Sequence, residues 1–199
     1  MVMIVVGFFA IDKGGTTPAD GPLDVLAREI TDQRGRIVVG NLLGMIGALA
    51  LVGFAAALRM RLTRDGQTGE MLGLIAYAFG VIMTVGALAY GSLQLAATTI
   101  SDPTVLAEAI RAITIVEVQV SALLGWAAIG LVATMSAASF LVGLLPRTMA
   151  WVGAILAVAA IAFTPTDHGA VGLALFPWIA ISCVILLREN EQPDTRSAT

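Results

Sequence analysis

The sequence predicts an all-α protein: a polytopic transmembrane helical bundle of five spans, with a further partial hydrophobic segment at the N-terminus. Three observations carry this prediction. Of 199 residues, 58% are hydrophobic and 13% are charged, against about 25% charged in ordinary soluble domains. The mean hydropathy of +0.91 leaves too little polar surface to cover a soluble globule. Apolar runs such as Ile115–Gly143 also exceed the length of about 20 residues that carries a helix across a bilayer.

The same composition closes off several function classes. Net charge is −3 with eleven Lys and Arg residues, so no basic patch argues for nucleic acid as a partner. Cys183 is the only cysteine, which excludes an intrachain disulfide and a cysteine-based metal cluster. His168 is the only histidine, which excludes a bis-histidine haem or a multi-histidine zinc site within one chain. The sequence lacks GxSxG, HExxH, a Walker loop and a dinucleotide fingerprint. It therefore nominates no catalytic residue, metal ligand or cofactor. Polar stretches are too short to fold alone, so the expected organisation has three parts. Residues 1–36 form a short hydrophobic N-terminus and an extracytoplasmic loop with a surface helix, 37–187 form the bundle, and 188–199 form a disordered cytoplasmic tail.

Met1–Ile11 is apolar but about half the length of a span. A signal peptide is disfavoured by the missing basic start and A-x-A-like site. A re-entrant or interfacial segment, or the last half of a spanning helix beginning outside this reading frame, fits better. Asp12–Arg36 is the longest polar segment and opens as a Gly- and Thr-rich loop. Pro22 then suits the first turn of a short helix, with Asp20 or Gly21 near its cap. Leu23, Leu26 and Ile30 share one face of that helix, which suits a helix lying on a membrane surface or an ordinary solvated connector.

Ile37–Leu58 is the clearest span, flanked by Arg34 and Arg36 before it and by Arg59, Arg61 and Arg64 after it. Gly40 and Gly44 form a GxxxG pair, extended by Gly47, and such small residues allow close helix approach within one chain or between copies. Thr63–Gly69 reads as a turn. Glu70–Thr99 is the next span, with Gly73, Ala76, Gly80, Thr84, Ala87, Gly91, Gln94 and Thr98 spaced by three and four. It is longer than a flat bilayer requires, so tilt or protrusion is expected.

Ser101 or Asp102 caps the following helix, with Pro103 in its first turn and Glu108 and Arg111 as an i,i+3 surface pair. The helix then enters the long apolar run. Glu117, Ser121, Gly125, Ala128, Ser136, Ser139 and Gly143 fall on its small and polar side. Leu123, Leu124, Trp126, Ile129, Leu131, Phe140 and Leu141 fall on faces that suit lipid. The chain breaks at Leu145–Arg147, returns as a shorter helix over 148–163, turns at Thr164–Gly169 and crosses again over Ala170–Leu187. Pro177 near the middle of that last span should kink it. Trp126, Trp151 and Trp178 are expected to face lipid or anchor at interfaces.

Arginines set the expected orientation. The 59–69 turn carries three, the Leu145–Thr148 turn carries Arg147, and the tail carries Arg188 and Arg196. The positive-inside rule places these in the cytoplasm of a bacterial plasma membrane, against a mixed segment 12–36 that holds basic residues outside.

With that topology, buried polarity collects in the outer leaflet. Gln94 and Glu117 lie near the facing ends of antiparallel neighbours, so they are expected at similar depth and within reach of each other. Asn41 and Tyr90 can join them. Arg111 lies towards water as a snorkelling or counter-ion candidate, and Asp167 and His168 can cap the same cavity from an outer turn. An ionisable group at a span's centre costs roughly 2.5–3.5 kcal/mol on insertion scales and is a functional candidate by default, less so near an end. The competing reading gives Glu117 to headgroups or to helix packing through Gln94, and makes His168 a solvated turn residue. Gly40, Gly44, Gly73, Gly80, Gly91 and Gly125 are the packing candidates.

The run GRIVVGNLLGMIGALALVGFAAALRMRL, with the later LPRTMAWVGAILAV, resembles small multi-pass bacterial membrane proteins of an uncharacterised family. The likeness rests on a Gly- and Ala-rich helix ending in arginines and on an LPR-x-x-x-W-x-G element (Leu145, Pro146, Arg147, Trp151, Gly153) that restarts the chain. It implies a bundle of five or six spans and brings no catalytic residues. Three functions follow as expectations. The first is a protein that binds a lipid or small amphiphile, or serves as a membrane-complex subunit, through an outer-leaflet cavity near Glu117. The second is a small proton- or ion-coupled transporter using Glu117. The third is a structural accessory protein that assembles as a homo-oligomer or within a larger complex.

Overall fold

The computed structural model describes residues 23–100, 102–163 and 168–191, and among them every regular element is helical. Helix α1 spans Leu23–Leu62, α2 Gly66–Thr99, α3 Pro103–Val142, α4 Arg147–Phe163 and α5 His168–Glu191, with a 3₁₀ turn at Thr63–Asp65 between α1 and α2. The apolar N-terminal segment 1–11 and the loop 12–22 lie outside the described residues.

Two stretches are long and apolar enough to cross a membrane, Asp32–Thr99 and Val118–Val142; the first contains the α1–α2 turn. Shorter apolar helices cover Arg147–Ala162 and Leu175–Arg188. Large apolar side chains stand exposed on all five helices, among them Leu42, Leu49, Leu74, Val85, Leu123, Trp151, Val158 and Val184. Soluble monomers seldom expose so much contiguous apolar surface.

Several boundaries differ from the sequence expectation. Residues 23–32 are not a separate surface helix, because α1 runs unbroken from Leu23 to Leu62. The one weak former between the two segments, Gly35, costs a helix only about 1 kcal/mol relative to alanine, too little to end it. The true break comes where a left-handed backbone is required. Gly66 has φ 77° at the end of the 3₁₀ turn, a conformation that glycine adopts without steric cost. Thr63 Oγ1 donates to the Met60 carbonyl at 2.8 Å, satisfying one group freed by the helix end. Gly143 is likewise not part of the small face of α3. With φ 72° it terminates the helix after Val142. The buried Leu144 and Leu145 then lead to Pro146, whose carbonyl accepts from Ala150 N at 3.1 Å to close the first turn of α4. At the other end of the chain, α5 continues past Leu187 to Glu191, so the expected tail is helical in its first residues; 192–199 lie outside the described residues.

By density of contacts the chain forms two compact units, to which α1, α2 and α3 each contribute a part. The first unit is 1–53 with 81–126, and the second is 54–80 with 127–199. In the first, the Thr84 hydroxyl donates to the Ala48 carbonyl at 3.0 Å, a buried hydrogen bond from α2 to α1. Gly86 leaves room for Leu124 of α3, whose Cδ2 would lie 2.8 Å from an added methyl.

In the second unit, a methyl at Gly73 would stand 3.2 Å from Arg59 Cα, and one at Gly80 would stand 2.5 Å from Ala55 Cβ, so α2 lies directly on α1. Arg59 sits over the Tyr77 ring at 5.6 Å. The α3 segment is enclosed, with Ala127, Ile129, Leu131, Val132, Met135 and Ala138 all buried. This corrects the expectation that Ile129 and Leu131 face lipid: five helices contribute here, and the central one buries more than one stripe. Trp178 is also buried rather than interfacial, and its indole N–H donates to the Met149 carbonyl at 3.2 Å. Trp126 and Trp151 are exposed, and Trp151 packs edge-on to Phe140 with centroids 5.1 Å apart. Pro177 sits inside α5, which continues through it.

The glycines divide by what surrounds them. At Gly153 an added methyl would meet the Ser136 hydroxyl and would lie 2.5 Å from the Trp178 ring; at Gly44 it would meet nothing within 4 Å. Gly153→Ala should therefore lose roughly 1–3 kcal/mol by overpacking. Gly44→Ala should be neutral or up to about 1 kcal/mol more stable through helix propensity. Thermal unfolding of both variants in detergent, followed by tryptophan fluorescence, checks the contrast.

Candidate functional site

The first unit gathers the segments that carry most of the polar candidates. Asn41 lies in α1, Tyr90, Gly91 and Gln94 in α2, and Arg111 and Glu117 in α3, all within 1–53 and 81–126. The side chains of Arg111 and Glu117 lie outside the described residues, as do Asp167 and the side chain of His168. His168 opens α5 and belongs to the second unit. It is thus not among the residues that the first unit collects.

Asn41 is the best defined of these groups. It is 2% exposed, and its amide Nδ2 is buried with no hydrogen-bond partner among the described residues. Its Oδ1 lies beside Gly91, 3.5 Å from where a β-carbon would stand, with Met45 Cε at 3.2 Å from the same point. The missing side chain at Gly91 is what leaves space for the amide. A buried donor without an acceptor costs about 1–3 kcal/mol, a cost that the packing around Asn41 has to offset. Tyr90 and Gln94 are half-buried, and both have a partner in the protein.

Several other hydroxyls of these helices are occupied within their own turns. Thr98 donates to the Leu95 carbonyl at 2.7 Å, Ser121 to Val118 at 3.0 Å, Thr134 to Gly130 at 2.7 Å and Ser139 to Met135 at 2.7 Å. Such back-bonding satisfies a hydroxyl without any neighbour. Ser136 and Ser182 in the second unit are buried with hydroxyls that have no partner among the described residues. Sequence periodicity marked Ser136 as a small residue and gave Ser182 no role.

Among the expected packing glycines, Gly73, Gly80 and Gly91 lie against α1 and Gly40 is buried, whereas Gly44 and Gly125 have open space beside them. No group of three or more histidine, cysteine, aspartate or glutamate residues suited to a metal occurs among the described residues.

The second unit contains a feature that the sequence did not signal. It is a half-open cavity of about 540 Å³, walled by Phe54, Leu58, Leu144 and Leu186, with Arg61 and Arg64 among its lining. The i,i+3 spacing of those arginines at the end of an apolar helix puts them on one side, but nothing in it points to a cavity.

No family model, no curated protein and no solved structure matches this chain.

The position of Asn41 depends on the register of α2 against α1. Thr84→Val should cost about 1 kcal/mol through loss of the bond to Ala48. Gly91→Leu should cost roughly 1–3 kcal/mol, because Met45 and Asn41 must both give way. Chemical denaturation in mild detergent measures both losses, with Gly125→Ala as the control that stays near wild type.

Proposed function

We propose that this chain is a multi-pass membrane protein of five spans that binds the polar head of a lipid or small amphiphile in the first unit, beside Asn41. The observation that carries the reading is the Asn41 amide: a donor buried in an apolar helix, unpartnered, next to a glycine that keeps its surroundings clear. A group that completes such a site must present a hydrogen-bond acceptor to Nδ2 and an apolar body to the neighbouring helix surfaces. Glycerol esters and phosphodiesters of membrane lipids have that form. Gln94 of α2 and Glu117 and Arg111 of α3, which belong to the same unit, are the further groups we assign to this site. Apolar side chains exposed on every helix support the membrane part of the reading.

The five spans are 37–58 within α1, 70–99 within α2, 114–142 within α3, and α4 and α5. Under the positive-inside rule the Arg59–Arg64 turn, Arg147 and Arg188 face the cytoplasm of a bacterial plasma membrane. Single cysteines placed at Thr68 and at Asp102 in a Cys183→Ser background should then label from opposite sides of sealed membranes. Labelling of both from one side would overturn the topology, and recovery of the chain in the soluble fraction without detergent would overturn the membrane reading itself.

The site is tested through lipids retained on purification. Asn41→Leu and Glu117→Gln should each reduce the co-purifying lipid seen by native mass spectrometry at least several-fold while the protein remains folded. An Asn41→Leu protein that keeps its full lipid complement and gains about 1–3 kcal/mol of stability would mean that the amide served no ligand.

A further inference from the structure

The cavity of the second unit has an amphiphilic layout. Phe54, Leu58, Leu144 and Leu186 supply apolar wall, and the Sγ-bearing Cys183 lies among them, itself buried. Arg61 and Arg64 bring two positive charges to the lining, and Asp65 brings one negative charge, leaving a net charge of +1. Arg61 is half-buried and has an interaction within the protein, whereas Arg64 is exposed. The volume of about 540 Å³ falls within the range of about 300–1,000 Å³ typical of small-molecule sites.

We infer that this cavity binds an anionic amphiphile, with its phosphate on Arg61 and Arg64 and part of one aliphatic chain along the wall formed by Phe54, Leu58, Leu144 and Leu186. Guanidinium groups match phosphate geometry through paired N–H donors. A basic rim beside an apolar wall is also the arrangement by which helix ends at a membrane surface take anionic headgroups. A soluble anion would use the arginines and gain nothing from the leucine wall. A neutral lipid would use the wall and gain nothing from the net positive charge of the lining. The inference rests on the membrane reading of the chain but not on the site at Asn41.

Cys183 reports occupancy directly, because it is the only cysteine in the chain and lines the cavity. In the full-length protein in mild detergent, alkylation of Cys183 by N-ethylmaleimide is followed by intact mass. The reaction is run with added phosphatidylglycerol, with phosphatidylcholine of the same chains, or with inorganic phosphate alone. Phosphatidylglycerol should slow alkylation roughly five-fold more than phosphatidylcholine, the scale set by one net positive charge beside an anionic headgroup. Inorganic phosphate should leave the rate unchanged. Arg61→Gln with Arg64→Gln should abolish the difference between the two lipids, while Gly44→Ala, which has open space beside it, should preserve it. Native mass spectrometry of the wild-type chain with the two lipids in competition gives the same preference without any substitution, should the double variant not fold. Equal protection by both lipids, protection by inorganic phosphate alone, or a preference that survives loss of both arginines would each overturn the assignment.

Discussion

Close backbone approach between α1 and α2 is the constraint on which the rest of the protein depends. Helices surrounded by apolar groups gain little from hydrophobic segregation, because a lipid tail is as apolar as a leucine. They associate where surfaces fit at short range. Here the fit is made by absent side chains: Gly73 against Arg59, Gly80 against Ala55 and Gly91 against Met45. The hairpin that brings these residues into register turns at Gly66, whose positive φ ends the 3₁₀ turn, and Gly69 in the first turn of α2 lies against the Leu62 carbonyl. The Thr84–Ala48 hydrogen bond fixes the same pair of helices further along the chain.

The helices themselves were legible because their signals are long and redundant. Apolar runs bounded by arginine clusters, and a stripe of glycines at three- and four-residue spacing in α2, do not depend on any single residue. What was not legible depended on local competition. The segment before Ile37 carries charges on several faces and reads as separate from the span, but helix continuation needs only the absence of a strong breaker, and Gly35 is a weak one. Gly143 fits the small face of α3 by spacing, and only its positive φ reveals it as the stop. Ile129 and Leu131 look like lipid-facing residues because a periodicity argument assumes one buried side, an assumption that fails for a helix packed on several.

The candidate sites divide in the same way. Asn41 could be nominated from sequence because a primary amide near the start of a span is rare and visible. Its significance comes from structure, through contrast with its neighbours. Ser121, Thr98, Thr134 and Ser139 spend their hydroxyls on carbonyls of the preceding turn, so their polarity is consumed locally and carries little information about ligands. Asn41 Nδ2 makes no such bond. Polarity that the helix cannot satisfy by itself is the kind that asks for an external partner.

The arginines at the end of α1 follow a rule of the helix. Arg59 and Arg61 are two residues apart and so project to nearly opposite sides, and Arg59 is taken up by the Tyr77 ring. Arg61 and Arg64 are three apart, across the change from α-helix to 3₁₀ turn, where i and i+3 side chains come to the same side. That single geometric difference sends one arginine to a helix-packing role and two to the cavity lined by Leu144, Cys183 and Leu186. A cluster that reads in sequence as one topological signal, three arginines after an apolar run, is therefore two devices in the folded chain. One fastens α2 to α1, and the other places positive charge against apolar wall.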